Sequence, residues 1–140
     1  MRETLEAVAD GELSVAAAEA RLSGYATTPS GRFDSAREHR RGIPEGILAE
    51  GKTPTEVLDL AEAAVDTTGR ALVTRADTAH CEALEAAFTS TAATVSIDDR
   101  AGTVTVTAET FDQPSLAAAV CIITGGTSDY PVAGEAAAVV

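Results

Sequence analysis

The run Leu116 to Ile123 is apolar at every position and shows no alternation. A strand buried on both faces of a parallel sheet reads this way. Gly125-Gly126-Thr127-Ser128-Asp129 follows, then Pro131 and a helical stretch over Val132 to Val140. Strand, glycine turn and helix together open a doubly wound α/β domain. One strand and one helix do not make a sheet, because a lone strand leaves unpaired backbone groups at both edges. Pro114 and Ser115 mark a boundary. The expected class is α/β, with an N-terminal α+β region over 1–114 and an incomplete α/β domain begun over 115–140.

The turn after that strand carries chemistry. Ligands of open α/β sheets bind at the carboxyl ends of strands. Gly125 and Gly126 let the backbone approach closely. The amides of Thr127 and Ser128 lie at an expected helix N-terminus, where free N–H groups and the dipole favour an anion. Ser128 and Asp129 serve either as a helix cap or as hydroxyl and carboxylate ligands to a nucleotide.

Upstream, Leu5, Val8, Ala9, Leu13, Ala16, Ala17 and Ala20 fall near helical spacing. Gly11 interrupts them and Ser14 is a cap candidate, so two short helices are expected. Gly24 to Gly31 reads as a turn-rich linker, and Gly31 to Pro54 as loop with a short extended piece. Thr53 is a cap candidate, with Pro54 next and Glu56 three residues on, opening a helix that ends near Gly69. Ala71 to Thr74 reads as a short strand. Asp77 caps a helix to about Phe88. Thr94 to Ile97 and Thr103 to Thr107 alternate like half-buried strands, joined by a loop over Asp98 to Gly102.

The formal net charge is -12, which argues against nucleic acid as a partner. Hydrophobic residues make up 45% and aromatics 4%, much of the rest being alanine, so a core is expected but a thin one. A single lysine, Lys52, stands against nine arginines. That lysine-poor acidic surface fits solubility in concentrated salt. No apolar run approaches the roughly 20 residues of a membrane span. The start Met1-Arg2-Glu3-Thr4 is charged, and no apolar h-region follows. A cytoplasmic location is expected, with Cys81 and Cys121 as reduced thiols.

Arg32, Arg37, Arg40, Arg41 and Lys52 are half of the ten basic residues. Arginine forks bind phosphate or carboxylate bidentately. The alternative is a set of ion pairs with Asp34, Glu38, Glu45 and Glu50, each weak at a surface. His39 and His80 are the only histidines. No spacing suits a structural zinc site, and no Ser-His-Asp or Cys-His arrangement occurs.

Two segments resemble one family. Asp34-Ser35-Ala36-Arg37-Glu38-His39-Arg40-Arg41-Gly42-Ile43-Pro44-Glu45, followed by Gly51-Lys52-Thr53-Pro54, is similar to the N-terminal signature of LarB-type proteins. Thr74-Arg75 fits the same pattern. Gly125 to Ala133 with Glu135-Ala136-Ala137 resembles that family's G-T-S-D motif, with Gly125 in place of the usual alanine. Aminoimidazole ribonucleotide (AIR) carboxylases share a version of the second motif without the N-terminal region.

The resemblance implies a PurE-like doubly wound domain and a carboxylase and hydrolase. Its substrate would be nicotinic acid adenine dinucleotide, carboxylated at pyridinium C5 with release of AMP, the first step toward a nickel-pincer nucleotide. Carbon dioxide or bicarbonate is the implied co-substrate and Mg2+ a candidate ion, with no tightly bound cofactor. A homo-octamer is implied. Gly126, Thr127, Ser128 and Asp129 match nucleotide-contacting positions, and Arg37, Arg40 and Lys52 are candidate phosphate or carboxylate ligands. The nucleophilic cysteine of the family lies in its C-terminal half, expected beyond Val140, so Cys81 and Cys121 do not inherit that role. Little activity is expected of residues 1–140 alone. A purine-pathway AIR carboxylase and a non-catalytic nucleotide-binding module are the alternatives.

Overall fold

The computed structural model describes residues 1–113 and 118–140. Two helices come first, α1 (Arg2–Ala9) and α2 (Val15–Ser23). Ser14 Oγ accepts from the Ala17 amide at 3.1 Å, the expected cap. The expected linker over Gly24 to Gly31 is instead largely a hairpin. Strand β1 (Ala26–Thr28) pairs antiparallel with β2 (Gly31–Phe33) across a two-residue turn at Pro29-Ser30. Each strand has three residues, too few for alternation to register.

The stretch read as loop with a short extended piece holds a short helix, α3 (Arg37–Arg41), and an extended strand, β3 (Gly46–Leu48). From there the chain follows the reading closely. Helix α4 (Pro54–Thr68) starts with a full capping box: the Thr53 hydroxyl accepts from the Glu56 amide, and Glu56 reaches back to the Thr53 amide. Strand β4 (Arg70–Thr74), helix α5 (Thr78–Phe88) and strands β5 (Thr94–Asp98) and β6 (Thr103–Thr107) follow. The last helix is α6 (Tyr130–Val139), preceded by a 3-10 turn at Thr127–Asp129.

The main sheet has strand order β3-β4-β6-β5. β3 and β4 are parallel, with α4 as their crossover, while β4–β6 and β6–β5 are antiparallel. The fold is therefore α/β with a mixed sheet. Register puts Ile47, Ala71, Val73, Val104 and Val106 on one face, which α4 and α5 cover. Val57, Val73, Leu84, Val104 and Val106 are fully buried. Each such side chain contributes about 1.5–3 kcal/mol of transfer free energy. Ala49, Ala61, Ala64 and Ala71 are buried beside them, so helix and sheet approach closely and the core is thin, as the alanine content implies.

The opposite face is polar at Ser96 and Thr105, and Leu72 on that face is buried. The strand expected over Leu116 to Ile123 is corrected in part. Residues 114–117 lie outside the described residues, as does the expected domain boundary. From 118 to 124 no strand forms, and Val120 and Ile123 are exposed. A parallel strand needs neighbours to take its N–H and C=O groups, and none is placed there among the described residues.

Candidate functional site

The parallel pair β3–β4 sends both of its carboxyl ends the same way. β3 leads through Ala49 to Lys52 into the cap of α4; β4 leads through Arg75 and Ala76 into the cap of α5. Asp77 caps α5 by accepting from the His80 amide at 3.0 Å. Backbone donation from His80 is the chief reason its carboxyl sits below the ordinary range. Glu56 is lowered likewise, first by the Thr53 amide.

His80 joins the two loops. Its ring is 5% exposed, and Nε2 lies 2.9 Å from the Lys52 carbonyl. Nδ1 lies 3.2 Å from the Asp77 amide. With Nδ1 accepting that N–H, Nε2 carries the proton and donates to the Lys52 carbonyl. Nδ1 is also 2.7 Å from Asp77 Oδ1. The two contacts ask opposite things of one nitrogen: a lone pair for the amide, a proton for the carboxylate. A ring protonated at Nε2 alone satisfies both backbone partners, and one protonated at Nδ1 would serve the carboxylate instead.

Arg75, at the end of β4, has φ 52, the one positive φ among the described non-glycine residues. That conformation costs an L-residue about 1 kcal/mol. It leaves the guanidinium between two carboxylates, with Nη1 2.6 Å from Glu50 and Nε 3.6 Å from Glu135 of α6. The Glu50 bond is the first cause of its raised pKa.

The turn Gly125–Asp129 is exposed. Asp129 Oδ2 accepts from the Gly125 amide at 3.2 Å, and the Asp129 amide donates to the Gly126 carbonyl at 3.3 Å. The carboxylate thus closes the turn upon itself. Arg100, from the β5–β6 turn, donates to the Thr127 carbonyl at 3.1 Å and stacks 4.1 Å over the Tyr130 ring. Tyr130 donates to Asp98 Oδ2 at 3.2 Å. The Ala101 amide is the first of the groups holding the Asp98 carboxyl low. A cleft of about 420 Å3 runs between the β5–β6 turn and α6, lined by Arg75, Asp99, Arg100, Val132 and Glu135.

The arginine-rich motif folds into a separate cluster. Arg40 binds Asp34 at 2.5 Å, Arg37 lies 3.4 Å from Glu45, and Arg70 binds Glu38 at 2.7 Å. Asp34 Oδ1 and Arg70 Nε are buried there without a hydrogen-bond partner. Arg70 begins β4, so this cluster sits at the opposite end of that strand from Arg75. Lys52 donates to the Leu48 carbonyl at 2.9 Å.

The candidate residues therefore divide. Gly126, Thr127, Ser128 and Asp129 are together on one turn. Lys52 belongs to the loop whose Glu50 reaches that region through Arg75. Arg37 and Arg40 are apart, each already holding a carboxylate. Arg75, His80, Asp98 and Arg100 were not read as site residues. For Arg75 a signal existed, since it ends a strand of the parallel pair in a Thr-Arg step. Asp98 and Arg100 look like any hairpin-loop residues, and only the docking of α6 gives them a role. No group of three or more His, Cys, Asp or Glu is placed to hold a metal among the described residues. None of their helices is long and apolar enough to cross a membrane.

Residues 25–108 match the family model of the LarB/PurE-like N-terminal domain. The match spans β1 through the end of β6 and includes the Asp34–Glu45 motif, Gly51-Lys52-Thr53 and Thr74-Arg75. No curated protein matches the chain.

Proposed function

Since the chain belongs to the LarB/PurE-like N-terminal domain family, we propose that it serves a LarB-type carboxylase and hydrolase acting on nicotinic acid adenine dinucleotide. The reaction joins carbon dioxide, or bicarbonate with loss of hydroxide, to pyridinium C5 as the C5 proton leaves, and water cleaves the phosphoanhydride, releasing AMP. The observation that carries this reading is the matched domain over 25–108 followed, in order, by the G-T-S-D turn.

In this reading the Thr127 and Ser128 amides and the Ser128 hydroxyl donate to a phosphate or ribose oxygen. Asp129 keeps the turn closed through the Gly125 amide. Lys52 supplies positive charge from the neighbouring loop. Arg37 and Arg40 stay with Glu45 and Asp34, because a ligand anion would have to displace a carboxylate already in place. The nucleophilic cysteine is assigned outside residues 1–140. Burial pushes the Cys81 thiol up, away from the thiolate a nucleophile needs. The second reading is a nucleotide- or anion-binding module without catalysis, with the same turn as its site. An octamer and a cytoplasmic location belong to the first reading as proposals.

Calorimetric titration with nicotinic acid adenine dinucleotide, alongside labelled bicarbonate incorporation, tests the assignment. Binding that weakens roughly tenfold in Ser128→Ala, the loss of about one hydrogen bond to a charged group, supports it. Equal affinity in the variant removes the turn from the site. Tighter binding of the purine ribonucleotide would move the substrate to the purine pathway. Carboxylation by residues 1–140 alone would refute the placement of the cysteine.

A further inference from the structure

Helix α6 has no buried residue of its own, yet it lies against the β5–β6 turn and β6. The contact that sets this position is steric. A Cβ on Gly134 would stand 2.4 Å from the Ala101 Cβ, far inside any real carbon–carbon contact. Glycine in a helix interior is less stable than alanine, so this position loses helix stability and gains close approach. Around that point the links are polar. Arg100 covers the Tyr130 ring and donates to the Thr127 carbonyl, Tyr130 donates to Asp98, and Arg75 reaches Glu135.

We propose that the β5–β6 turn of the family-matched domain is a seat for α6, and that Gly134, Arg100 and Arg75 are positioning residues fixing the Gly126–Asp129 turn on that domain. Their role is to place the turn, whatever ligand it takes, so the inference stands apart from the substrate assigned above. A charge count supports positioning over anion binding for the two arginines. Arg75 faces Glu50 and Glu135, and Arg100 faces Asp98 with Asp99 beside it, so carboxylates outnumber the two guanidiniums that line the cleft. A seat built from one tight fit and exposed polar contacts is reversible and weakened by salt.

Amide hydrogen exchange on the intact chain tests this, read over the peptide spanning 126–139, with the α4 and β4 amides as the check that the domain stays folded. In Gly134→Val the added side chain must push the helix off Ala101. Protection of the peptide should fall roughly tenfold or more, the scale of an overpacking cost, while α4 and β4 hold. Ala136→Val, on the exposed side of the same helix, should leave protection within about twofold. Helix propensity alone predicts the reverse for Gly134, since valine is a better helix former than glycine. Unchanged or increased protection in Gly134→Val therefore overturns the seat. Should that variant unfold the whole chain, Arg100→Ala decides. Loss of protection confined to 126–139 sustains the proposal, and wild-type protection overturns it.

Discussion

Replacing His80 by leucine should destabilise the domain more than any exposed substitution on α5. The side chains are close in size, so the cavity contribution is small. What disappears is the pair of bonds to the Lys52 carbonyl and the Asp77 amide. Each bond contributes about 1 kcal/mol net, and a partner left unsatisfied in a half-buried loop adds to the loss. The sum is about 2–3 kcal/mol. For a domain of this size each kcal/mol moves Tm by roughly 4–8 °C. Thermal unfolding followed by circular dichroism should show a fall of roughly 8–24 °C, against about zero for Glu82→Gln on the exposed side of the helix. The loss should also be local, with faster exchange of the Gly51 to Thr53 amides than of β4. A change under about 0.5 kcal/mol, the range of neutral surface substitutions, would show that the ring fills space without joining the loops.

Three further outcomes are expected. Thr53→Ala removes the hydroxyl of the α4 capping box and should cost about 1 kcal/mol by denaturant unfolding, with Thr53→Ser close to wild type. Glu56, Asp77 and Asp98 have carboxyls held low by backbone N–H groups of Thr53, His80 and Ala101. A depressed folded pKa gives stability above the unfolded pKa that is lost as pH falls through the folded one. Stability should therefore decline as pH drops below the ordinary carboxylate range, and Asp77→Asn should flatten that limb of a pH-dependent melting series. Native thiol labelling should modify the exposed Cys121 at least about tenfold faster than Cys81, which is buried with its thiol pKa raised; equal rates would mean α5 opens readily.

The central elements were legible because their signals are local. Thr53-Pro54-Thr55-Glu56 carries a capping box in four residues, and Thr103 to Thr107 alternates over a full strand. The β1–β2 hairpin was read largely as linker and β3 only as an extended piece without bounds, because three residues hold no period and tertiary pairing alone makes them strands. The Leu116 to Ile123 run failed differently. It was read as a strand buried in a parallel sheet, and over the described residues 118–123 no strand forms and the chain is exposed. At the candidate site, the Gly125–Asp129 turn and the helix after it were readable from residue type and order. The arginine cluster left ion pairs and anion binding both open, and Arg37, Arg40 and Arg70 are each found on a carboxylate. Arg100 and Gly134 were invisible, since a loop arginine and a helix glycine mean little until another element lies against them.

The chain just after β6, tied back by the Ala108 amide donating to the Gly69 carbonyl at 2.9 Å, has a consequence for how such a domain is wired into larger proteins. Phe111 packs where a Cβ on Gly69 would meet its ring at 2.9 Å, covering the C-terminal cap of α4. At the other end of the matched region, Tyr25 and Ala26 share a groove with Ala63, Asp66 and Thr67 near the same end of that helix. Entry and exit of residues 25–108 thus converge on one helix terminus. Domains whose ends lie close accept insertion and circular permutation, because neither operation requires rethreading the core. A unit of this shape can be spliced before, after or within another fold as a cassette, carrying its two helix-capped loops intact.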